Sequence, residues 1–346
     1  MKTLSIKNFK NLRDLTIPVS ANVNLITGRN NVGKSTLLEA LAIYASNGNL
    51  FTISEVLLNR GLGSKNRETY SSLFSNYQMT MNENNPIEIG DVSIQPVKFA
   101  RLTSRQDEKV EISRIVARTT AEVSNTIEWT DGIEICYGDG NSEIYSFSSP
   151  IMKHHPEKCT LQYIRTNDLK RDINGYLWDN VVMTDKEKNI INGLQIVEPS
   201  IEAVSFITDP TDNTKRIPVV KLKNDTQRHY LSSMGDGINR IFTIILAMVN
   251  CQNGICLIDE FENGLHYSVQ AQLWKVIFKL ANLFSIRFYA TTHSNDCIRS
   301  FSEVMKDSEE NQGIMIRLEE KGNKITPVIY SKEELLYGTD NQIEMR

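Results

Sequence analysis

Apolar and polar positions follow patterns that predict regular elements at both ends of this 346-residue chain. Strands are predicted where β-branched and apolar residues run together or alternate with polar ones, and helices where apolar residues recur every three or four positions. The predicted strands at the two ends cover residues 3–6, 14–19, 23–27, 254–258, 286–291, 313–318 and 324–330. The predicted helices cover residues 35–45, 238–249 and 296–301, and a short helical tail follows. This order of strands and helices is typical of an α/β fold.

The middle of the chain shows a different pattern. Residues 47–85 are polar and irregular, with short apolar pieces at 54–58 and 70–74, and no regular element is predicted there. Strand-like runs separated by turn signals then predict an antiparallel β lobe, with strands over 87–94, 97–102, 109–117, 126–137 and 143–147. Residues 167–230 predict two short helices and a strand pair, over 173–183, 186–198, 201–208 and 217–221. This stretch lacks the repeated heptads that a long coiled coil needs.

A glycine-rich loop joins the third predicted strand to the first predicted helix. It follows the pattern G-x-x-x-x-G-K-[ST], and its residues are Gly28, Arg29, Asn30, Asn31, Val32, Gly33, Lys34, Ser35 and Thr36. The glycines allow the positive φ angles that point backbone N–H groups at phosphate oxygens, and the helix N-terminus adds a partial positive charge. Lys34, expected to be open to solvent, would reach the β- and γ-phosphates, and the Ser35 hydroxyl would bind Mg²⁺. Strand, loop and helix together predict a site for a nucleoside triphosphate rather than a chance turn.

Three further segments can complete such a site. Asp259 and Glu260 end an apolar strand, where Asp259 would hold Mg²⁺ through water and Glu260 would polarise the attacking water. A small turn over 231–237 opens an apolar helix, and a later strand ends at His293. Each segment has an ordinary alternative, since acidic pairs after strands are common, His293 could cap its strand, and Asp236 could be a helix N-cap.

The order of phosphate loop, Ser/Gly turn, Asp-Glu strand and strand-terminal histidine resembles the ABC-type ATPases. Residues 4–12 resemble the first strand of their soluble branch, which includes RecF-like, SMC-like and overcoming-lysogenization-defect (OLD) proteins. Residues 259–266 are similar to the "DEPE-x-GLH" string of the OLD-like group, and residues 344–346 to the ending of its stand-alone ATPases. The resemblance covers 2–44 and 231–301. It implies an ABC-type fold with a mixed sheet core and an antiparallel β lobe, and ATP and Mg²⁺ as cofactors.

The resemblance also implies roles for individual residues. Glu260 would be the general base, His293 the switch histidine near the γ-phosphate, and Lys34 a third group that stabilises charge. Ser233 and Gly235 stand where the family's signature turn caps the nucleotide of the opposite subunit. That turn here reads Ser-Ser-Met-Gly-Asp rather than Leu-Ser-Gly-Gly-Gln. The implied assembly is a head-to-tail homodimer, or a higher oligomer, that forms on ATP.

The chain is expected to form a single ATPase domain in three parts. Residues 1–166 would be the N-terminal lobe, and 167–230 a short helical subdomain where SMC-like relatives insert coiled coils. Residues 231–346 would be the C-terminal lobe. By the same resemblance, the segment over 262–266 is a dimer-contact loop, and Gln162 is a candidate for the glutamine that links the two lobes.

Charge argues against a generally basic nucleic-acid binder, because the net charge is −4 and the pI is near 5.9. A local DNA-binding patch is still possible. Basic residues do occur in the β lobe, but a solvated strand face is favoured over a DNA track. These residues are Arg101, Arg105, Lys109, Arg114 and Arg118.

The cysteines and the N-terminus predict a soluble protein of the cytoplasm. The five cysteines are scattered without a C-x-x-C pair, which favours reduced thiols over disulfides or zinc ligation. They are Cys136, Cys159, Cys251, Cys256 and Cys297. No signal peptide is evident, and no apolar run approaches the ~18 residues of a membrane span. His154 and His155 lack a third ligand at useful spacing and predict an exposed turn.

The sequence thus predicts an ATP-binding and ATP-hydrolysing ABC-type ATPase that dimerises on ATP. Because there is no second catalytic constellation and no room for the OLD proteins' Toprim domain, it would control a separate effector, such as a nuclease in bacterial anti-phage defence. Two alternatives stay open: a RecF-like ATPase that binds DNA in repair or recombination, and a scaffold clamped by ATP. A transporter subunit is disfavoured by the first-strand pattern. A neighbouring nuclease gene would favour the effector hypothesis.

Overall fold

A computed structural model describes most of the chain. It covers residues 3–63, 66–79, 85–103, 112–113, 126–147, 156–165, 173–213, 215–307, 309–310, 312–341 and 343–345. Several residues discussed above lie outside these ranges: Arg105, Lys109, Arg114, Arg118, His154 and His155. No helix in the described part of the chain has the length and apolar character needed to cross a membrane.

Runs of strands are separated by helices along the described residues, and single strands and helices alternate only from α6 to β15. The strands are β1 (Thr3–Phe9), β2 (Leu12–Pro18), β3 (Val23–Gly28), β4 (Ile87–Ile89), β5 (Val92–Thr103), β6 (Ile112–Ser113), β7 (Thr126–Cys136), β8 (Ser142–Ser146), β9 (Leu161–Ile164), β10 (Ile201–Thr208), β11 (Arg216–Leu222), β12 (Arg228–Tyr230), β13 (Ile255–Ile258), β14 (Arg287–Thr291), β15 (Gly313–Lys321) and β16 (Lys324–Tyr330). The helices are α1 (Lys34–Ala45), α2 (Leu50–Leu58), α3 (Arg67–Ser71), α4 (Ile173–Asp179), α5 (Asp185–Val197), α6 (Asp236–Val249), α7 (Tyr267–Leu283), α8 (Asn295–Asp307) and α9 (Lys332–Asp340).

A six-stranded mixed sheet forms the centre of the fold. Its order is β16-β15-β3-β14-β13-β9, and every neighbouring pair is parallel except β15 and β16. Strands β3 and β13 are buried along their whole length, as expected for parallel strands covered on both faces. Burial on both faces explains why the sequences of these strands are continuous apolar runs rather than alternating apolar and polar residues.

The two faces of the six-stranded sheet pack against different partners. Leu25, Ile258 and Ala290 point into a core shared with α5 to α8. The neighbouring residues along the strands, such as Ile26 and Leu257, point the other way, into a core shared with α1 and the β lobe. Side chains alternate between the faces of a strand, so one sheet serves both cores.

Within the described residues, the β lobe is a seven-stranded antiparallel sheet, which confirms the predicted antiparallel lobe; most of the predicted strand over 109–117 lies outside these residues. Its order is β2-β1-β4-β5-β7-β8, with β6 paired to β5. A third sheet, β10-β11-β12, is also antiparallel and lies between α5 and α6 in the chain. The predicted strand pair of the 167–230 region is thus present, and β12 is an additional strand that no pattern indicated.

Some predicted elements are wrong. Residues 47–85, expected to be irregular, contain α2 and α3. Both helices begin at asparagine caps, where the Asn49 and Asn66 side chains accept hydrogen bonds from Phe51 N and Thr69 N at 2.8 Å. The predicted strand over 87–94 is a hairpin, because the chain turns at Gly90, whose φ is 63°. Helix α7 occupies a segment to which no element was assigned.

Candidate nucleotide-binding site

Three loops meet at one edge of the central sheet, where β3, β13 and β14 end. These strands are parallel, with Ile26 opposite Thr291 and Ala290 opposite Ile258, so their carboxyl ends lie side by side. Ligands of open α/β sheets bind at this edge. The three loops carry the glycine-rich segment, the Asp-Glu pair and His293. The structure therefore brings together the segments that the sequence predicts to form one site.

The glycine-rich loop requires glycine at two positions. Gly28 has φ 139°, and a Cβ on it would lie 2.5 Å from the backbone oxygen of Leu318 on β15. Gly33 has φ 103° and caps α1. Any side chain at these positions would be strained, and at Gly28 it would also collide with backbone. The loop between them is thus fixed against β15, with the N-terminus of α1 open beside it.

Lys34 lies folded against its own loop, and the expectation that it is open to solvent is wrong. Its side chain is buried, with 5% of the residue exposed. The ammonium donates hydrogen bonds to the carbonyl oxygens of Gly28 and Arg29 at 2.7 and 2.9 Å. Burial lowers the pKa of Lys34 to about 8, although three nearby carboxylates raise it in part. The ammonium is therefore held at the loop by hydrogen bonds, but its charged form is less favoured there than in water.

Asp259 accepts hydrogen bonds from two of the three loops. The hydroxyls of Ser35 and Thr291 donate to its Oδ1 at 3.1 and 2.6 Å. Thr291 Oγ1 also accepts a hydrogen bond from the backbone N–H of Glu260 at 2.8 Å. Glu260 has φ 52°, a left-handed conformation that is uncommon for a residue with a long side chain. Thr291, which the sequence did not indicate, thus fixes both acidic residues against β14.

His293 is held on two sides. The Lys34 ammonium lies 3.2 Å from its Nδ1, which therefore accepts the hydrogen bond. Its backbone N–H donates to Glu262 Oε1 at 2.7 Å, and the Thr292 hydroxyl donates to Oε2 of the same carboxylate at 2.8 Å. The sequence indicated only a dimer-contact role for Glu262. In the structure its carboxylate also fixes the loop that carries His293.

Arg240 is a buried residue that hydrogen-bonds the backbone of the Asp-Glu turn. It belongs to α6 and is 1% exposed. Its Nη2 donates to the backbone oxygens of Asp259 and Glu260 at 3.1 and 3.3 Å. Buried charged groups need such hydrogen bonds to offset the loss of water. The sequence did contain a signal, since Arg240 is a charged residue inside the apolar stretch 238–249.

These groups open onto a large cleft of about 1190 Å³. Lys34, Ser35, Glu260 and His293 line one part of it. The other walls come from segments that no motif indicated: the β1–β2 turn, the end of α2, the segment after α3, and the β15–β16 turn. Their lining residues are Lys10, Asn11, Arg13, Arg60, Leu62, Ser72, Phe74, Asn76, Tyr77, Glu320, Asn323 and Ile325.

A buried carboxylate joins these walls to the helix that follows the glycine-rich loop. Glu39 on α1 is 6% exposed and pairs with Lys10 and Arg60 at 2.7 and 3.0 Å. Burial lowers the pKa of Lys10, while Glu39 acts in the opposite direction. Glu39 pairs with Lys10 of the β1–β2 turn and with Arg60 just after α2. Both segments are therefore fixed to α1.

Ser233 and Gly235 lie away from the cleft. Both are exposed, and neither is among the residues that line it. Ser233 lies in a short 3₁₀ turn over Leu231–Met234, and its hydroxyl donates to Tyr230 O at 2.7 Å. Gly235 has φ 105° and comes directly before α6. Within one chain, the structure therefore does not bring the signature turn (231–237) to Lys34.

Gln162 does not reach the cleft either. It lies in β9 opposite Cys256, two positions before the strand ends. Cys256 points into the core shared with α5 to α8, and paired residues of parallel strands point to the same face. The structure therefore does not support Gln162 as the glutamine that links the two lobes.

One family covers most of the chain. Residues 1–131 and 146–298 match the AAA_15 family, described as an AAA ATPase domain. The chain belongs to the AAA_15 family. The predicted ATPase domain is thereby confirmed. This AAA_15 protein hydrolyses ATP.

Similar proteins extend over the whole length of the AAA_15 chain. A protein of Helicobacter pylori named "ATP/GTP phosphatase" is 23% identical over 379 residues, covering 99% of this chain and 98% of the relative. A crystal structure of an Smc head bound to the C-winged helix domain of ScpA has a TM-score of 0.52 at 14% identity, covering 96% of this chain and 98% of that one.

A second solved structure is similar to this chain over its whole length. It is an Smc head with an extended coiled coil, bound to the C-terminal domain of ScpA derived from Pyrococcus furiosus. Its TM-score is 0.51 at 12% identity, and 99% of each chain is covered. The two likenesses show that the AAA_15 chain has the fold of an Smc head, which confirms the predicted α/β class.

Proposed function

We propose that this ATPase is a two-state switch in which two copies close head to tail around ATP and thereby control a separate effector. The observation that carries the proposal is the position of the signature turn. Ser233 and Gly235 are exposed and lie outside the cleft of their own chain. A helix N-terminus such as that of α6 attracts phosphate. In a head-to-tail pair, each copy would offer this turn to the nucleotide of the other.

The surface around the signature turn supports this arrangement. A Cβ on Gly237 would lie 3.3 Å from the backbone oxygen of Gly264, so the turn adjoins the dimer-contact loop (262–266). Gly264 and His266 in that loop are exposed. Two segments to which the resemblance gives dimer contacts thus share one face of the chain.

The cleft supports hydrolysis by direct attack of water. Glu260 lines the cleft and would accept the proton of the attacking water. Lys34 and His293 lie 3.2 Å apart and would stabilise charge on the transferred phosphoryl group. Thr291 and Arg240 would be positioning residues. Thr291 holds the Asp259 carboxylate and the Glu260 backbone N–H, and Arg240 holds the backbone oxygens of both acidic residues.

The residues beside Lys34 fit a magnesium ion. Mg²⁺ prefers oxygen ligands and is commonly bound by one or two carboxylates together with water and phosphate. The Ser35 hydroxyl and the Asp259 carboxylate lie 3.1 Å apart at the mouth of the loop and provide such oxygens. We assign Ser35 as a ligand and Asp259 as a ligand through water. When bound, the ion would neutralise phosphate charge.

A separate effector is supported by two observations. Among the described residues, no group of three or more His, Cys, Asp or Glu side chains could hold a metal ion. Both Smc heads described above were solved with a domain of ScpA, so heads of this fold can bind another polypeptide. By resemblance to the OLD group, we propose a nuclease of bacterial anti-phage defence as the effector.

A mixing experiment tests the shared sites. Lys34→Met should disable the phosphate loop, and Ser233→Glu the signature turn, where the side chain is exposed. Each variant alone should be inactive, whereas a 1:1 mixture should recover roughly a quarter of the wild-type ATPase rate, because half of the random pairs contain one intact site of two. Thermal melting checks that both variants are folded. A mixture as inactive as its components would contradict shared sites.

A pull-down tests the effector. Glu260→Gln with ATP would represent the closed state, and Lys34→Ala the open state. We expect a partner from the native host, a nuclease, to be recovered with one state at least about tenfold better than with the other, since a switch requires different affinities for the two states. Equal recovery would refute the switch.

Metal-dependent DNA cleavage by the purified chain would refute a separate nuclease, and DNA binding that weakens steeply with salt would favour the RecF-like alternative.

We expect ATP affinity to fall as the pH rises above about 8. Because burial lowers the pKa of Lys34 to about 8, the free protein loses this charge there, while phosphate, with its last pKa near 6, stays fully charged. Titration calorimetry should show about tenfold weaker binding at pH 9 than at pH 7. Lys34→Met should bind weakly at both pH values, without this slope. Equal affinity of the wild-type chain at both would show that Lys34 does not titrate there.

The expected loss of affinity is not a loss of fold. The pKa of Lys34 is lower in the folded chain than its ordinary value of 10.5. Between about pH 8 and 10.5 the unfolded chain therefore holds this proton more tightly, and the contribution of Lys34 to the free energy of unfolding rises with pH. Melting temperatures at pH 7 and 9 provide the check.

A further inference from the structure

Tyr77 lines the cleft and presents an exposed aromatic ring. Two aromatic residues line the cleft, Phe74 and Tyr77. Phe74 is 2% exposed and belongs to the core, whereas Tyr77 is 73% exposed. An exposed ring costs solvation free energy unless something covers it. The ring of Tyr77 is thus available to a ligand that enters the cleft.

The backbone that carries Tyr77 is unusual. Asn76 and Tyr77 have φ values of 57° and 58°, so two consecutive residues other than glycine adopt the left-handed conformation. For a bulky residue this is a genuine outlier, and such conformations concentrate at ligand-binding and active sites. A simple surface turn could use glycine or a different geometry at no such cost.

Surrounding contacts hold this backbone in place. The Asn8 side chain accepts a hydrogen bond from Ser75 N at 3.3 Å, and Arg13 Nη2 donates to Asn76 Oδ1 at 3.0 Å. Tyr77 N donates to Phe74 O at 3.1 Å. Through Asn8 and Arg13 the segment is fixed to the strands that flank the β1–β2 turn. The backbone that carries the ring is therefore held beside the cleft, so that binding of a ligand orders only the side chain.

The cleft is too large for phosphates alone. Its volume of about 1190 Å³ exceeds the ~300–1,000 Å³ of a typical small-molecule site. Side-chain amides also line the cleft, among them Asn76, the neighbour of Tyr77 in the chain, and Asn323 in the β15–β16 turn. Amides both donate and accept hydrogen bonds, as the edges of a nucleobase do. This part of the cleft suits a flat, polar-edged ring.

We propose that Tyr77 is the platform on which the base of the bound nucleotide stacks, with cleft amides such as that of Asn76 offering hydrogen bonds to the edge of the base. The proposal rests on the nucleotide site of the proposed function and adds the position of the base. Stacking uses the π-face that every base possesses. Tyr77 therefore contributes affinity for nucleotides whatever their base, and it does not choose between ATP and GTP.

The experiment separates the base from the phosphates. Binding of ATP, GTP and inorganic tripolyphosphate is measured by calorimetry for the wild-type chain, Tyr77→Ala, Tyr77→Phe and Lys34→Ala. We expect Tyr77→Ala to bind ATP and GTP about 5- to 100-fold more weakly, the range for loss of one stacked base, and tripolyphosphate unchanged. Tyr77→Phe keeps the ring and should restore binding of both nucleotides.

A matched control comes from another exposed tyrosine. Tyr337 on α9 is 67% exposed and does not line the cleft, so Tyr337→Ala should bind all three ligands like the wild-type chain. Unchanged ATP affinity in Tyr77→Ala, or an equal loss for tripolyphosphate, would overturn the stacking role. Lys34→Ala should lose all three ligands. If it kept them, the phosphate site itself would be wrong, which is a different failure.

Discussion

Glu260→Gln should bind ATP normally and hydrolyse it about 10²- to 10⁴-fold more slowly than the wild-type chain, the range usual for loss of a general base. Glutamine keeps the shape of glutamate but cannot accept a proton from water. The backbone of Glu260 is fixed by Thr291 Oγ1 at 2.8 Å and by Arg240 at 3.3 Å, so the substitution should not move the turn. The variant should also accumulate as an ATP-bound dimer, which light scattering with and without ATP detects.

Glu262→Gln provides the matched control. It removes one carboxylate charge from the same loop, but Glu262 holds the Thr292 hydroxyl and His293 N rather than lining the cleft. We expect a smaller loss of rate, about tenfold at most, because a glutamine oxygen can still accept one of these two hydrogen bonds. A Glu260→Gln chain that hydrolyses ATP at the wild-type rate would show that another group activates the water.

Lys34→Ala should weaken ATP binding by at least about 100-fold. Hydrogen bonds from a charged donor contribute about 1.5–3 kcal/mol each, and about 1.4 kcal/mol is a tenfold change in affinity. In the structure the Lys34 ammonium already makes two short hydrogen bonds to loop carbonyls. We expect it to exchange these for phosphate oxygens when ATP binds. Titration calorimetry measures the loss directly.

Lys34→Met separates charge from packing in this experiment. Methionine fills most of the buried volume of Lys34 and lacks the ammonium. Both variants should lose ATP affinity equally. Lys34→Met should melt close to the wild-type temperature, because relief of the buried charge is offset by loss of the hydrogen bonds to the Gly28 and Arg29 carbonyls. Normal affinity in either variant would remove Lys34 from the site.

The parts of the site that follow directly from local sequence could be predicted. The loop from Gly28 to Thr36 has a fixed spacing, and the strands before it and before Asp259 are buried on both faces, so their apolar runs are continuous. The same holds for the strand that ends before His293. At these positions the local sequence pattern favours the same element that the folded sheet contains, so the predicted strands and loop are present.

Other parts depend on contacts between distant residues, and local patterns did not reveal them. Helix α2 was missed because its polar flanks hide the helical spacing of Leu50, Ile53 and Val56, which face the core. Lys34 was expected to be exposed, but only the folded loop shows carbonyls within reach of its ammonium. Tyr77 reaches the cleft through contacts with the strands around the β1–β2 turn, more than 60 residues earlier in the chain. Such long-range contacts leave no local periodicity.

The strand that carries the phosphate loop depends on residues made much later. Both neighbours of β3 in the sheet, β14 and β15, lie beyond residue 286, and Leu318 of β15 forms the wall against Gly28. While the chain is still being synthesised, β3 has no strand to pair with and the loop has no wall. Pairings over such sequence separations also form slowly. We therefore expect nucleotide capture to wait until β15 has left the ribosome, so that nascent chains would not consume ATP.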